Sequence, residues 1–218
     1  MSPDRRPCAG KGRPLGGAGP GAAGRSSGLD RADSLLEIEA AVSWIGKHRL
    51  RAVLVGGGDA GYCADLLKAR GIPVVVTSVL SLPDRRDAGF DDAFTLPLRL
   101  HRAGVKFCIA SGSASGIRNL PYHAAKAAAY GLPKDEALKA ITLYPAQILG
   151  VADRVGSLEK GKDATLVVTD GDPLEITTRV SELFLQGRRI DLANKHQRLY
   201  DKYRQRYRQA NAAASPAQ

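Results

Sequence analysis

Three short apolar runs, residues 52–55, 74–76 and 105–110, most constrain what this 218-residue chain can fold into. Each is too short for a helix and almost wholly apolar, as strands are when both faces of their sheet are covered. The stretches between them have helical spacing. Ser34-Leu35-Leu36-Glu37 has the Ser-x-x-Glu form of a capping box, and Leu35, Ile38, Val42 and Ile45 then recur at helical intervals. Together they predict a helix over 34–48. Gly56-Gly57-Gly58 turns the chain, Asp59 reads as the N-cap of a helix over 60–70, and Gly71 ends it. A polar loop, 79–90, leads into a helix that reaches Ala103, with Pro97 within or near its first turn and Gly104 at its close. Helices alternating with strands in this way imply parallel pairing with helical crossovers, an α/β fold.

Charge is placed unevenly. The formal net charge is +10, with 32 Lys and Arg against 22 Asp and Glu. Residues 1–33 hold six bases and three acids, and 188–210 hold eight and two, so the body between is close to neutral. A basic face for nucleic acid is therefore not indicated, and nucleic acid is not an expected partner. The three cysteines, Cys8, Cys63 and Cys108, form neither a CxxC pair nor a disulfide framework. Cys63 and Cys108 sit among apolar neighbours and read as small core residues. No apolar run approaches the roughly 18 residues that span a bilayer, and no apolar stretch follows Arg5 and Arg6 as in a secretory signal. The expectation is a cytoplasmic protein without a membrane partner.

The ends differ from the middle. Residues 1–33 are rich in Gly, Pro, Ala and Arg, with no aromatic, Val or Ile. They read as a disordered leader, because they bury too little apolar surface to offset the entropy of ordering. Residues 34–150 form the α/β body. Residues 151–193 turn to β structure, with a strand at 165–169, a turn at Gly171-Asp172-Pro173 and a hairpin through Gln186-Gly187. Residues 194–218 form a basic helix and a frayed tail. Leu199, Tyr203 and Tyr207 make one stripe of that helix, which reads as a docked amphipathic element, with phosphate contact as the lesser reading.

Two stretches could carry chemistry. Gly56-x-Gly58-x-x-Gly61 follows a strand and opens a helix, as a dinucleotide fingerprint does. The following strand ends in Val76-Thr77-Ser78 without the acid that fingerprint requires, so a tight turn is the better reading. The second is the loop 111–119 with His123 beyond it. Ser111, Ser113, Ser115, Arg118 and Asn119 end a strand there, and Arg118 has the geometry to clamp a carboxylate in bidentate fashion. The alternative is that Ser and Asn cap the next helix, Arg118 faces solvent and His123 packs as an ordinary helix residue. The four histidines, His48, His101, His123 and His196, have no metal-ligand spacing, so no metal site is expected from this chain by itself.

The second half carries a resemblance. Gly131-Leu132-Pro133, Glu136-Ala137-Leu138-Lys139-Ala140-Ile141-Thr142-Leu143 and Pro145-Ala146-Gln147-Ile148-Leu149-Gly150 resemble the end of an amidohydrolase barrel. Gly156-Ser157-Leu158-Glu159-Lys160-Gly161-Lys162-Asp163-Ala164 and Asp170-Gly171-Asp172-Pro173-Leu174 are similar to the β segment that follows it. The nearest likeness is to imidazolonepropionase-like members, over about residues 34–193.

This resemblance implies a partial (β/α)8 TIM-type barrel, its last three or so βα units, followed by a small C-terminal β segment and a basic helical tail. It implies hydrolysis of non-peptide C–N bonds in cyclic amides or imidazolones, with a divalent metal (Zn, Mn or Fe) in the intact family. It also implies that the His-x-His half is missing from this chain. Gly56-Gly57-Gly58 stands where the family has a strand-end histidine. Gly112 or Ser113, depending on register, stands where it has a metal-binding aspartate. The expectation is a chain that is inactive alone, either homo-oligomeric or the remainder of a longer chain. The other reading is a non-catalytic protein that binds a small molecule through Arg118, Asn119 and His123.

Overall fold

The computed structural model describes residues 27–214, apart from Ser78 and Asp84. Four strands form one parallel sheet in the order β1-β2-β3-β4: β1 (Ser27–Ala32), β2 (Arg51–Gly56), β3 (Val74–Val76) and β4 (Phe107–Ile109). Helices α1 (Leu35–His48), α2 (Ala64–Arg70) and α3 (Asp92–Ala103) make the crossovers. Beyond β4 lie a 3-10 turn (Ile117–Asn119) and helices α4 (Leu120–Ala129), α5 (Lys134–Ile141) and α6 (Leu143–Ile148). A separate antiparallel sheet joins β5 (Leu166–Thr169), β6 (Val180–Leu185) and β7 (Arg188–Arg189), and α7 (Lys195–Ala214) follows.

The local signals act as the sequence indicates. Ser34 Oγ accepts from Glu37 N–H at 3.4 Å, and the Glu37 carboxylate accepts from Asp33 and Ser34 N–H at 3.0 Å each, closing the capping box. Ile38, Val42 and Ile45 are the buried face of α1. Gly71 and Gly104 end α2 and α3 in the left-handed conformation, where a Cβ would be strained. Leu54, Val74, Val76, Phe107 and Ile109 lie under the helices with at most 3% exposure and form the centre of the core.

Four expectations need correction. The leader does not stay unstructured to residue 33: residues 27–32 form β1, paired with β2 from Ser27↔Arg51 to Ala32↔Gly56. The remaining leader, 1–26, lies outside the described residues. Edge strands need little apolar content, and Gly28, Asp30 and Arg31 concealed this one. Asp59 is not a helix N-cap: α2 starts later, at Ala64, behind Cys63, and Asp59 accepts from Leu35 N–H instead. Pro97 sits in the second turn of α3 and is buried. The basic helix α7 does not dock. Leu199, Tyr200, Tyr203 and Tyr207 are 39–68% exposed.

Candidate functional site

The carboxyl ends of parallel strands are where α/β folds gather their site loops. Here those loops follow Ala32, Gly56, Val76 and Ile109. The first three of these loops border a cleft of about 310 Å³ whose polar lining comes mainly from Asp33, Glu37, Asp59, Arg85 and Asp92. Three of its four acids accept hydrogen bonds, and the fourth, Asp33, lies 3.6 Å from the Arg31 guanidinium. Glu37 is held in the capping box, and the backbone N–H groups of Ser34 and Asp33 pull its carboxyl below the usual range. Asp59 Oδ2 accepts from Leu35 N–H at 3.0 Å and from the Arg85 guanidinium at 2.5 Å. Asp92 Oδ2 accepts from Gly89 N–H and from the Tyr62 hydroxyl, each at 3.1 Å. Asp59 and Asp92 therefore tie rim loops together, while the half-exposed Asp33 carboxylate stands beside Gly56.

The glycines of the rim are there for space. Gly56 has φ +103°, and a Cβ built on it would stand 2.3 Å from Asp33 Oδ1. Gly112 has φ +70°, and its Cβ would stand 2.4 Å from the Thr77 carbonyl oxygen. A side chain at Gly112 would force the backbone to move, and one at Gly56 would displace the Asp33 carboxylate and strain a left-handed φ. The Gly56–Gly61 turn faces the Asp33 carboxylate, which repels a phosphate, and Gly61 lies against the Arg99 side chain.

The loop after β4 has its own hydrogen bonds. Ser111 Oγ donates to the Ser113 carbonyl at 3.1 Å, and Ser113 Oγ accepts from Gly116 N–H at 3.2 Å. The Ser113 hydroxyl thus serves the turn. Arg118 and Asn119 are exposed on the 3-10 turn, whereas His123, one turn into α4, is only 7% exposed. His123 Nδ1 is buried without a hydrogen-bond partner, and burial lowers the pKa of this imidazole. Neither of the two described clefts is lined by any of the three. The structure keeps Arg118 and Asn119 in solvent and His123 in the interior, so it does not bring them together as one binding surface.

A second polar cluster, without a signal in the residue spacing, lies at the opposite end of β4. Glu136 Oε1 accepts from Lys139 Nζ at 2.8 Å, its Oε2 accepts from the Tyr144 hydroxyl, and His101 Nδ1 lies 3.7 Å from that oxygen. The Lys139 hydrogen bond is the first cause of a lowered Glu136 carboxyl, and burial leads in raising the Tyr144 phenol. Glu136, Tyr144 and His101 border a cleft of about 350 Å³ with Val105, Phe107 and Ile148. Three groups around one carboxylate, with the Phe107 and Tyr144 rings edge to face at 6.3 Å, bind α5 and α6 to β4.

A divalent metal does not fit the donors present. Among the described residues there is no group of three or more His, Cys, Asp or Glu side chains arranged to hold an ion. The two strand ends where the resemblance would place ligands carry Gly56 and Gly112, whose backbones exclude a side chain. Cys63 and Cys108 are buried and free, and burial pushes the Cys108 thiol up to about 11, as for inert core thiols. No helix among the described residues is long and apolar enough to cross a membrane.

Comparison with known proteins agrees with this architecture. The model of the amidohydrolase family matches residues 29–192. A curated relative, the amidohydrolase TasK of Hapsidospora irregularis, is 41% identical over 64 residues, which is 29% of this chain and 6% of that protein. The crystal structure of an amidohydrolase from Thermotoga maritima MSB8 superposes with a TM-score of 0.70 at 28% identity, covering 75% of this chain and 43% of the other. An uncharacterized metal-dependent hydrolase from Pyrococcus furiosus shares the fold at a TM-score of 0.53 and 17% identity, covering 67% of this chain and 34% of the other. The chain thus spans less than half the length of these relatives.

Proposed function

Because the chain belongs to the amidohydrolase family, we propose that it is part of a (β/α)8 barrel carrying the family's scaffold without its metal chemistry. The ancestral reaction is hydrolysis of a non-peptide C–N bond, in a cyclic amide or imidazolone of the imidazolonepropionase-like type. The reading places β1 to β4 as the last four barrel strands and β5 to β7 as the β segment beyond the barrel. One observation carries the loss of chemistry: Gly112 stands with its missing Cβ 2.4 Å from the Thr77 carbonyl, where the resemblance puts a metal-binding aspartate. Hydrolysis in this family needs a metal to activate water and a carboxylate to move the proton. Among the described residues no group of donors is arranged to hold an ion, and of the rim acids Glu37, Asp59 and Asp92 are held by backbone N–H groups, Arg85 and Tyr62.

The proposed role is then that of a non-catalytic member in the cytoplasm, with a small molecule rather than nucleic acid or membrane as ligand. The test is a hydrolysis assay of the purified chain on cyclic amides and imidazolones, with Zn²⁺, Mn²⁺ or Fe²⁺ added. No turnover above the metal-containing buffer is expected. Metal-dependent turnover, abolished by a chelator and restored by the metal, would contradict the proposal.

A further inference from the structure

The family match ends at residue 192, and α7 lies beyond it. Every described side chain of α7, over 195–209, is exposed. The helix therefore draws no stability from packing on the body, although helices in proteins owe most of theirs to such packing. At 3.6 residues per turn, His196, Leu199, Tyr200, Tyr203 and Tyr207 share one stripe. The three tyrosines stand at i, i+3 and i+7 and are 58%, 49% and 68% exposed. Bases border the stripe on both sides, with Lys195, Lys202 and Arg206 along one flank and Arg204 and Arg208 along the other. Asp201, the one acid of the helix, is on the far side and accepts from Gln197 Nε2 at 3.3 Å. Arg198 pairs with Asp191 at 3.3 Å, and the Arg204 guanidinium lies 5.9 Å from the centre of the Tyr200 ring. Lys195, Lys202, Arg206 and Arg208 have no ion pair among the described residues.

We propose that α7 is a recognition helix whose tyrosine stripe enters an apolar groove, rimmed by carboxylates, on another protein. Anchors at i, i+3 and i+7 are the spacing by which an amphipathic helix lies in a groove. Tyr and Arg are the residue types that carry most of the energy of protein interfaces. Guanidinium and phenol side by side, as at Arg206, Tyr207 and Arg208, offer the donors that carboxylates accept. The acid has to come from elsewhere. A second α7 carries the same charge and repels this one, and the body of the chain is close to neutral. The rest of a barrel is not called on to cover the helix, because α7 lies outside the part of the chain that the family shares. A lipid surface fits less well, since interfacial helices bury Trp, Phe and Leu, whereas this stripe has one Leu and three phenol hydroxyls. Duplex DNA also fits less well, since phenols and not bases head the face. The proposal does not depend on the loss of metal chemistry at the rim.

Fluorescence anisotropy of the full 218-residue chain with Ca²⁺-loaded calmodulin is the test, because that protein presents a groove of this kind to basic amphipathic helices. Saturable binding is expected, weakened severalfold by raised salt and lost when a chelator removes Ca²⁺ and closes the groove. Tyr203→Ala and Arg206→Glu each weaken it about tenfold or more. Gln205→Ala, on the far side of the helix, leaves it unchanged. None of these substitutions moves the melting temperature of the body, because α7 does not pack on it. Absence of saturable binding, or binding that Tyr203→Ala leaves intact, overturns the proposal. Tighter binding to phosphatidylserine vesicles or to duplex DNA overturns it in favour of a phosphate surface.

Discussion

The core of the parallel sheet and the rim above it are built from the same strands and have fared differently. In the core, Leu54, Val74, Val76, Phe107 and Ile109 are packed against three crossover helices, and the hydrophobic effect alone specifies them. At the rim, Gly56 and Gly112 make tight turns and three hydrogen-bonded carboxylates, Glu37, Asp59 and Asp92, hold loops together. The core needs only volume and apolarity, so it persists through many substitutions. A hydrolytic rim needs particular donors at particular points. Scaffold and chemistry are separable even where they share a strand.

That contrast can be broken by substitution. Leu54→Ala should have the largest effect, about 2–5 kcal/mol lost in urea unfolding, because it opens a cavity in a fully buried site. A loss below about 1 kcal/mol would mean that the sheet is not the stabilising core. Gly112→Asp should lose about 3 kcal/mol from a Cβ forced against the Thr77 carbonyl and a strained φ, and should still bind no metal. A stable, metal-binding Gly112→Asp would show a rim that still fits the family's ion. Ser34→Ala, which removes one half of the capping box, should lose about 1 kcal/mol.

A smaller effect follows from His123. Burial lowers its pKa below the usual 6.5, so the unfolded chain binds the proton more readily than the folded one. Stability therefore falls as pH drops from about 6.5 towards the folded pKa, and it is fully present above 6.5. The melting temperature of the wild type should drop more steeply than that of His123→Gln between pH 7 and pH 5. Parallel curves would place His123 in solvent.

The sequence showed the fold wherever apolar period and capping chemistry agree, as in the capping box at Ser34 and the valines of β3. It concealed β1, because an edge strand tolerates Gly28, Asp30 and Arg31 and lacks an apolar run. The site was less legible. Arg118, Asn119 and His123 are near one another in the chain, but the 3-10 turn leaves two in solvent and α4 takes the third inside. Spacing alone does not reveal which way a helix is rotated against its neighbours. Nor could it choose between Gly112 and Ser113 or show that both are structural. That needed the left-handed φ of Gly112 and the Ser113 Oγ bond to Gly116.

The most direct test of a family scaffold without its metal is the metal content of the untagged native chain. It would be dialysed against Zn²⁺, freed of excess ion and measured by mass spectrometry. The account predicts well under one tenth of an equivalent per chain, unchanged in Gly112→Asp. One equivalent of zinc that survives dialysis and supports hydrolysis would contradict it.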